Sequence, residues 1–150
     1  MLRGSDGDFI LIDESYNANP ASMRAALATL AQIEPGFRGR RIAVLGDMLE
    51  LGSEGPALHR ELAEPIQASH VDLVFAAGPL MKNLFGALPR ERQGAYAGTS
   101  AEIEDAVSGA VRAGDVVMVK GSNGIRMGRI VKALNDRYGS RSGGVEGMTA

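Results

Sequence analysis

The sequence predicts an α/β domain built on an open, mostly parallel sheet with helices on both faces. Three observations carry this. Short apolar runs at residues 9–12, 42–45, 72–76 and 116–119 alternate with stretches of helical periodicity, the rhythm of strand–helix–strand crossovers. Each run is apolar almost throughout and does not alternate, as expected of strands covered on both faces. Three of the runs lead into polar or glycine-bearing turns, at 13–19, 46–50 and 120–124, which parallel strands would present along a single edge.

Taken in order, the first strand ends at Asp13, and Asn19-Pro20 then supplies a helix cap and a proline at the first helical position, where a missing N–H costs nothing. Met23, Leu27, Leu30 and Ile33 fall on one face of that helix, which is expected to stop at Pro35-Gly36. The run Arg38-Gly39-Arg40-Arg41 precedes the second strand and reads as a solvated lead-in. Residues 56–69 are helical in pattern, with a kink or break expected at Pro65. After the third strand a weaker one is expected at 95–97. Thr99 and Glu102 have capping-box spacing and open a helix carrying Ile103, Ala106, Val107, Ala110 and Val111. The final helix bears Met127, Ile130, Val131 and Leu134 on one stripe. Residues 139–150 are glycine-rich and aperiodic, and read as a flexible tail on a single domain spanning 1–138.

Bulk properties remove several function classes. A length of 150 residues suits one compact domain, and a net charge of -2 argues against a nucleic-acid backbone binder. With no cysteine there are no disulfides, thiolate metal sites or cysteine nucleophiles. No apolar stretch approaches the roughly 20 residues of a membrane span, and the opening residues lack a signal-peptide core. The expectation is a cytoplasmic domain with no membrane partner.

The chemistry is expected on the shared edge. In the first turn Asp13 suits either ribose hydroxyls or the turn itself, Tyr16 could stack on a flat base, and the amides of Asn17 and Asn19 both donate and accept. Asp47 and Glu50 in the second turn suit an ammonium or a metal, or are simply solvated. The third turn, Lys120-Gly121-Ser122-Asn123-Gly124, offers a cation, a hydroxyl and a helix start, a possible anion or carboxylate cradle. It is not a P-loop, because the string Gly-x-x-x-x-Gly-Lys-Ser/Thr occurs nowhere in the chain. His59 and His70 lack partners at catalytic or metal-binding spacing and are expected at the surface or at a helix end.

The block Asp13-Glu14-Ser15-Tyr16-Asn17-Ala18-Asn19-Pro20-Ala21-Ser22-Met23 resembles the one that opens the C-terminal domain of the Mur ligases. Val44 to Gly52, His59 and Val119-Lys120-Gly121-Ser122 follow in the order of the branch that adds D-alanyl-D-alanine. The resemblance runs from about Phe9 to Tyr138. It implies a Rossmann-like fold and the third domain of a three-domain ligase, whose N-terminal UDP-binding and central P-loop domains lie outside this chain. It also implies ATP and Mg2+, held mainly by the central domain, and the substrates UDP-N-acetylmuramoyl-tripeptide and D-alanyl-D-alanine. By the same resemblance Asp13 and Tyr16 lie against the ribose and adenine of ATP, with Asn17 close by. Asn17, Asp47 and Ser122 border the acceptor pocket, and Lys120 is a further candidate for the acceptor's carboxylate. No catalytic or metal-ligating residue is assigned to this chain, and alone it is expected to have no ligase activity. The competing expectations are a free-standing, non-catalytic α/β binding module and the matching domain of another muramoyl or folate polyglutamate ligase.

Overall fold

The computed structural model describes residues 2–4, 7–15 and 17–138; the expected tail at 139–150 and Tyr16 lie outside the described residues. The strands are β1 (Leu2–Gly4), β2 (Gly7–Glu14), β3 (Arg41–Gly46), β4 (Leu73–Ala77), β5 (Gln93–Ala97) and β6 (Val116–Lys120). The helices are α1 (Pro20–Ala31), α2 (Gly55–Arg60), α3 (Ala63–Ala68), α4 (Met81–Phe85), α5 (Ser100–Ala110) and α6 (Gly128–Tyr138). All six strands join one sheet in the order β1-β2-β6-β3-β4-β5, parallel from β2 onward. The expected strands are all present, including the weak one at β5. The edge strand β1 has no apolar run to announce it and pairs antiparallel with β2, with Leu2 opposite Phe9.

Successive side chains of a strand point to opposite faces, and here both faces are dry. Phe9, Leu11, Ile42, Val44, Val117 and Val119 meet Ile103 and Val107 of α5 and Ile130, Val131 and Leu134 of α6. Their neighbours Ala43, Leu45, Val74, Ala76, Val116 and Met118 meet Met23, Leu27 and Leu30 of α1, Ile66 of α3 and Met81 and Leu84 of α4. That two-sided burial is why the strands read as continuous apolar runs. Tyr138 closes the first core at its end, edge-on to Phe9 at 5.4 Å between ring centroids, with its hydroxyl donating to the Ser108 carbonyl.

Local chemistry accounts for the helix ends. Asn19 caps α1: its side chain accepts from the Ser22 amide while the Ser22 hydroxyl accepts from the Asn19 amide, a reciprocal box. The helix ends at Ala31, short of the expected Pro35-Gly36, where Gln32 folds back in a tighter turn. Thr99 caps α5 through the Glu102 amide, but the Glu102 carboxylate accepts from the Thr99 hydroxyl instead of closing the box on the backbone. Between α2 and α3 the helix breaks at Glu61-Leu62. Pro65 then falls in the first turn of α3, because its ring would clash with the carbonyl four residues earlier in an unbroken helix.

The arginine run before β3 is a solvated lead-in only at Arg38, which is exposed. Arg40 donates to the buried Asp115 carboxylate and to the last carbonyl of α5, Ala110. Arg41 donates to the Leu30 and Ala31 carbonyls at the end of α1. Adjacent residues at the head of a strand reach opposite faces, so each arginine satisfies the open carbonyls of a different helix.

Candidate functional site: the C-terminal edge of the sheet

Strands β2, β6 and β3 end level with one another, Glu14 beside Lys120 and Lys120 beside Leu45. The turn after β2 leads to α1 on one face, the turn after β6 leads to α6 on the other, and the turn after β3 returns to the first face. Such reversals open a crevice at the carboxyl ends of an open parallel sheet, where these folds hold ligands.

The three turns are tied together by two side chains from the third. Lys120, 3 % exposed, donates to the Asn17 carbonyl at 2.9 Å and lies 3.6 Å from a Glu14 carboxylate oxygen. The Ser122 hydroxyl accepts from the Leu49 amide at 2.9 Å and donates to the Ala18 carbonyl at 3.2 Å, while its own amide donates to the Asp47 carbonyl. The backbones approach so closely that a Cβ on Gly121 would sit 3.1 Å from the Gly46 Cα and 2.6 Å from the Met127 side chain. Lys120 and Ser122 are therefore buried struts. They shape the edge without projecting from it.

Asp47 is equally committed. It is 1 % exposed, and its two carboxylate oxygens accept from the Leu80 and Met81 amides at the start of α4, at 3.0 and 2.8 Å. A carboxylate at a helix start is favourably placed. The fit requires Gly78, at φ +116°, where a Cβ would lie 2.4 Å from that carboxylate. Tyr96 donates its hydroxyl proton to the Gly78 carbonyl at 2.9 Å. Its phenol is held above its ordinary 10.0, first by burial and then by the charges of Asp47 and Glu102.

His59 has a role that its sequence context concealed. It stands at the end of α2, as expected, yet is fully buried and not at the surface. Nε2 accepts from the Met48 amide at 3.0 Å, and Nδ1 faces the Gly55 carbonyl at 2.7 Å. An amide can only donate and a carbonyl can only accept, so the network assigns the neutral ring with its proton on Nδ1. His59 thus braces the turn after β3. No local pattern signals this, because the contact spans eleven residues. His70 is exposed at the end of α3, in a left-handed backbone conformation.

The residues left facing outward are few. Asp13 is half-buried, with Oδ1 accepting from both the amide and the hydroxyl of Ser15, and Oδ2 has no partner among the described residues. Asn17, Glu50, Asn123 and Arg126 are exposed. The edge brings together Asp13, Asn17, Lys120 and Ser122 and, one strand over, Asp47. Among the described residues it presents no nucleophile–base pair. An arrangement of this kind binds and orients.

The family model described as the Mur ligase, glutamate ligase domain matches residues 1–123. This chain belongs to the Mur ligase family. Among curated Mur ligases, the UDP-N-acetylmuramoyl-tripeptide--D-alanyl-D-alanine ligase of Bacillus subtilis is 34% identical over 134 residues, covering 87% of this chain and 29% of that protein. The enzyme of the same name from Mycobacterium tuberculosis is 36% identical over 151 residues, covering 87% and 30%. The chain therefore spans about three tenths of the length of these relatives. Of solved structures, the MurF ligase of Thermotoga maritima in complex with ADP superposes with a TM-score of 0.73 at 24% identity, over 94% of this chain and 31% of that one. A MurF structure from Acinetobacter baumannii gives 0.68 at 26% identity, over 81% and 27%. The fold is thus that of a Mur ligase C-terminal domain, and the Rossmann-like expectation holds.

Proposed function

We propose that this chain is the C-terminal domain of an ATP-dependent ligase that joins D-alanyl-D-alanine to UDP-N-acetylmuramoyl-tripeptide, and that it orients the acceptor dipeptide. The observation that carries this reading is the edge itself. The turns after β2, β3 and β6, which hold the Tyr-Asn-Ala-Asn-Pro, Leu-Gly-Asp-Met-Leu-Glu and Lys-Gly-Ser sequences, are locked into one surface by Lys120 and Ser122. The names of the relatives agree with it.

The residues present fit a nucleotide's sugar. Among the described residues Asp13 keeps one carboxylate oxygen unused while Ser15 fixes the other, which suits acceptance of ribose hydroxyls, with Asn17 beside it and Tyr16 the residue for the base. ATP, with Mg2+, would supply the phosphoryl group that activates the tripeptide's terminal carboxylate, ADP leaving first and phosphate leaving as the amide forms, and the phosphate-gripping loop would come from outside this chain. This domain contributes proximity: it holds the amine near the acyl carbon and excludes water that would hydrolyse it. Asn17 and Ser122 border the acceptor pocket. Lys120 sets the first turn of that pocket and Asp47 the second, each by holding backbone. Closure of the domain is then a step in turnover.

The test is phosphate release by the full-length ligase that carries this domain. Release is expected only when ATP, the UDP-linked tripeptide and D-alanyl-D-alanine are all present, and not with L-alanyl-L-alanine; the isolated chain should release none. Turnover with a single amino acid in place of the dipeptide would assign the domain to another Mur ligase. Stereospecific dipeptide binding without any turnover would mark a non-catalytic module.

A further inference from the structure

The acceptor in the proposed reaction keeps an ionised carboxylate, which has to be held while the amine at the other end reacts. Lys120, a further candidate to hold it, is buried and spent on Asn17 and Glu14. The Ser122 hydroxyl is spent on Leu49 and Ala18. Neither projects a donor outward.

A different cation does. Arg126, in the turn after β6, is exposed, and its guanidinium has no hydrogen-bond or ion-pair partner among the described residues. One turn along, Arg129 is paired with Glu104 at 3.0 Å. Arg126 adopts a left-handed backbone, φ 61° and ψ 43°, a conformation uncommon for any residue but glycine and worth a functional question. Its amide donates to the Asn123 carbonyl and its carbonyl accepts from the Arg129 amide, so the main chain anchors the loop while the side chain stays free.

Arg126 also lines two adjoining clefts. One, of about 350 Å³, is bounded by Ser15, Asn123, Gly128 and Arg129. The other, of about 280 Å³, is bounded by 98–101, Gly124, Ile125 and Arg129. The first lies between the turn leading to α1 on one face and the turn leading to α6 on the other, where the sheet reverses its connections. It offers the Asn123 side chain, the Arg126 guanidinium and the positive end of an 11-residue helix, while the Ser15 hydroxyl that borders it is held by Asp13.

Resting on the function proposed above, we propose that Arg126 grips the terminal carboxylate of the acceptor dipeptide in the cleft between the turns after β2 and β6. A guanidinium presents two parallel donors matched to the two carboxylate oxygens, which a lysine cannot do. Lys120 and Ser122 tie the turn after β2 to the turn after β6, the two turns that border this cleft.

The experiment compares full-length wild type with Arg126→Asn, since asparagine tolerates the left-handed backbone, and with Arg126→Lys. Each is assayed for phosphate release with D-alanyl-D-alanine and with its C-terminal amide, which lacks the negative charge. In the wild type the amide should be used at least roughly tenfold less efficiently, the size of a lost charge-assisted bond. Arg126→Asn should raise the KM for the dipeptide by a similar factor, leave the KM for ATP within about twofold, and abolish the preference for the dipeptide over its amide; Arg126→Lys should recover part of that preference. If Arg126→Asn still prefers the dipeptide as strongly as wild type does, or if only the KM for ATP rises, the proposal is overturned while the ligase reading stands. A wild type that does not use D-alanyl-D-alanine at all overturns both.

Discussion

Tyr96 shows what a single side chain does at this edge. Its hydroxyl holds the Gly78 carbonyl, and its ring lies against Phe85 with centroids 6.0 Å apart. Burial and the nearby carboxylates keep the phenol protonated in the folded state above its ordinary value of 10.0. The unfolded chain therefore gives up this proton first, and stability has to fall as pH rises from about 10 toward the folded value. Below about pH 10 both states keep the proton and the contribution is constant. Thermal midpoints measured from about pH 9 to pH 11 should show wild type losing more than Tyr96→Phe over that interval. Parallel profiles would mean that the phenol is not held up by its surroundings. The same residue scale explains Lys120 and Ser122. Their residue types suit a carboxylate cradle, but a lysine ringed by a neighbouring carbonyl and carboxylate is worth more to the fold as a strut.

At the scale of elements, the N-terminal ends of the strands are organised around Asp115. This carboxylate is fully buried and accepts from the Arg40 amide, from two nitrogens of the Arg40 guanidinium and from the Arg112 amide. Through Arg40 it also secures the end of α5. Asp115→Ala would leave a largely buried guanidinium and two amides without their acceptor. The expected loss is about 3–5 kcal/mol, read as a lower midpoint in urea denaturation, with Asp115→Asn losing less because it keeps an acceptor oxygen. An alanine variant within about 0.5 kcal/mol of wild type would show that surface exposure sets the value of this pair, as it does for exposed ion pairs. Helix starts were legible from sequence where a side chain makes the cap, as Asn19 and Thr99 do. The ends were not. The carbonyls at the ends of α1 and α5 are satisfied by Arg41 and Arg40, which come from another part of the chain.

For the molecule as a whole, one sheet serves both cores. Ile42 and Val44 belong to one, Ala43 and Leu45 to the other. Neither helical layer can leave without exposing strands that the other layer still needs. Unfolding should therefore be a single transition, with tyrosine fluorescence, which includes the fully docked Tyr138, and far-ultraviolet circular dichroism giving coincident curves in denaturant. Separated curves would mean that α5 and α6 form an independent layer. The same shared sheet braces the C-terminal edge from both faces, as the closure proposed above requires.

Sequence alone determined the parallel strands, most of the helices and the class of fold, though not β1 or α4, because two-sided burial writes itself into a strand as an unbroken apolar run and because caps are local. It also marked the edge where ligands should lie, since parallel strands have to deliver their turns to one side. It could not apportion roles along that edge. Whether Lys120, Ser122, Asp47 and His59 face solvent or backbone depends on groups as much as a hundred residues away, such as the Asn17 carbonyl that takes the Lys120 ammonium. Only the tertiary structure decided that these residues brace the site, and that Arg126, which no motif singled out, lines its crevice with a guanidinium that has no partner among the described residues. Hydrophobic periodicity is a property of neighbours in the chain, whereas the satisfaction of a polar group is a property of neighbours in space.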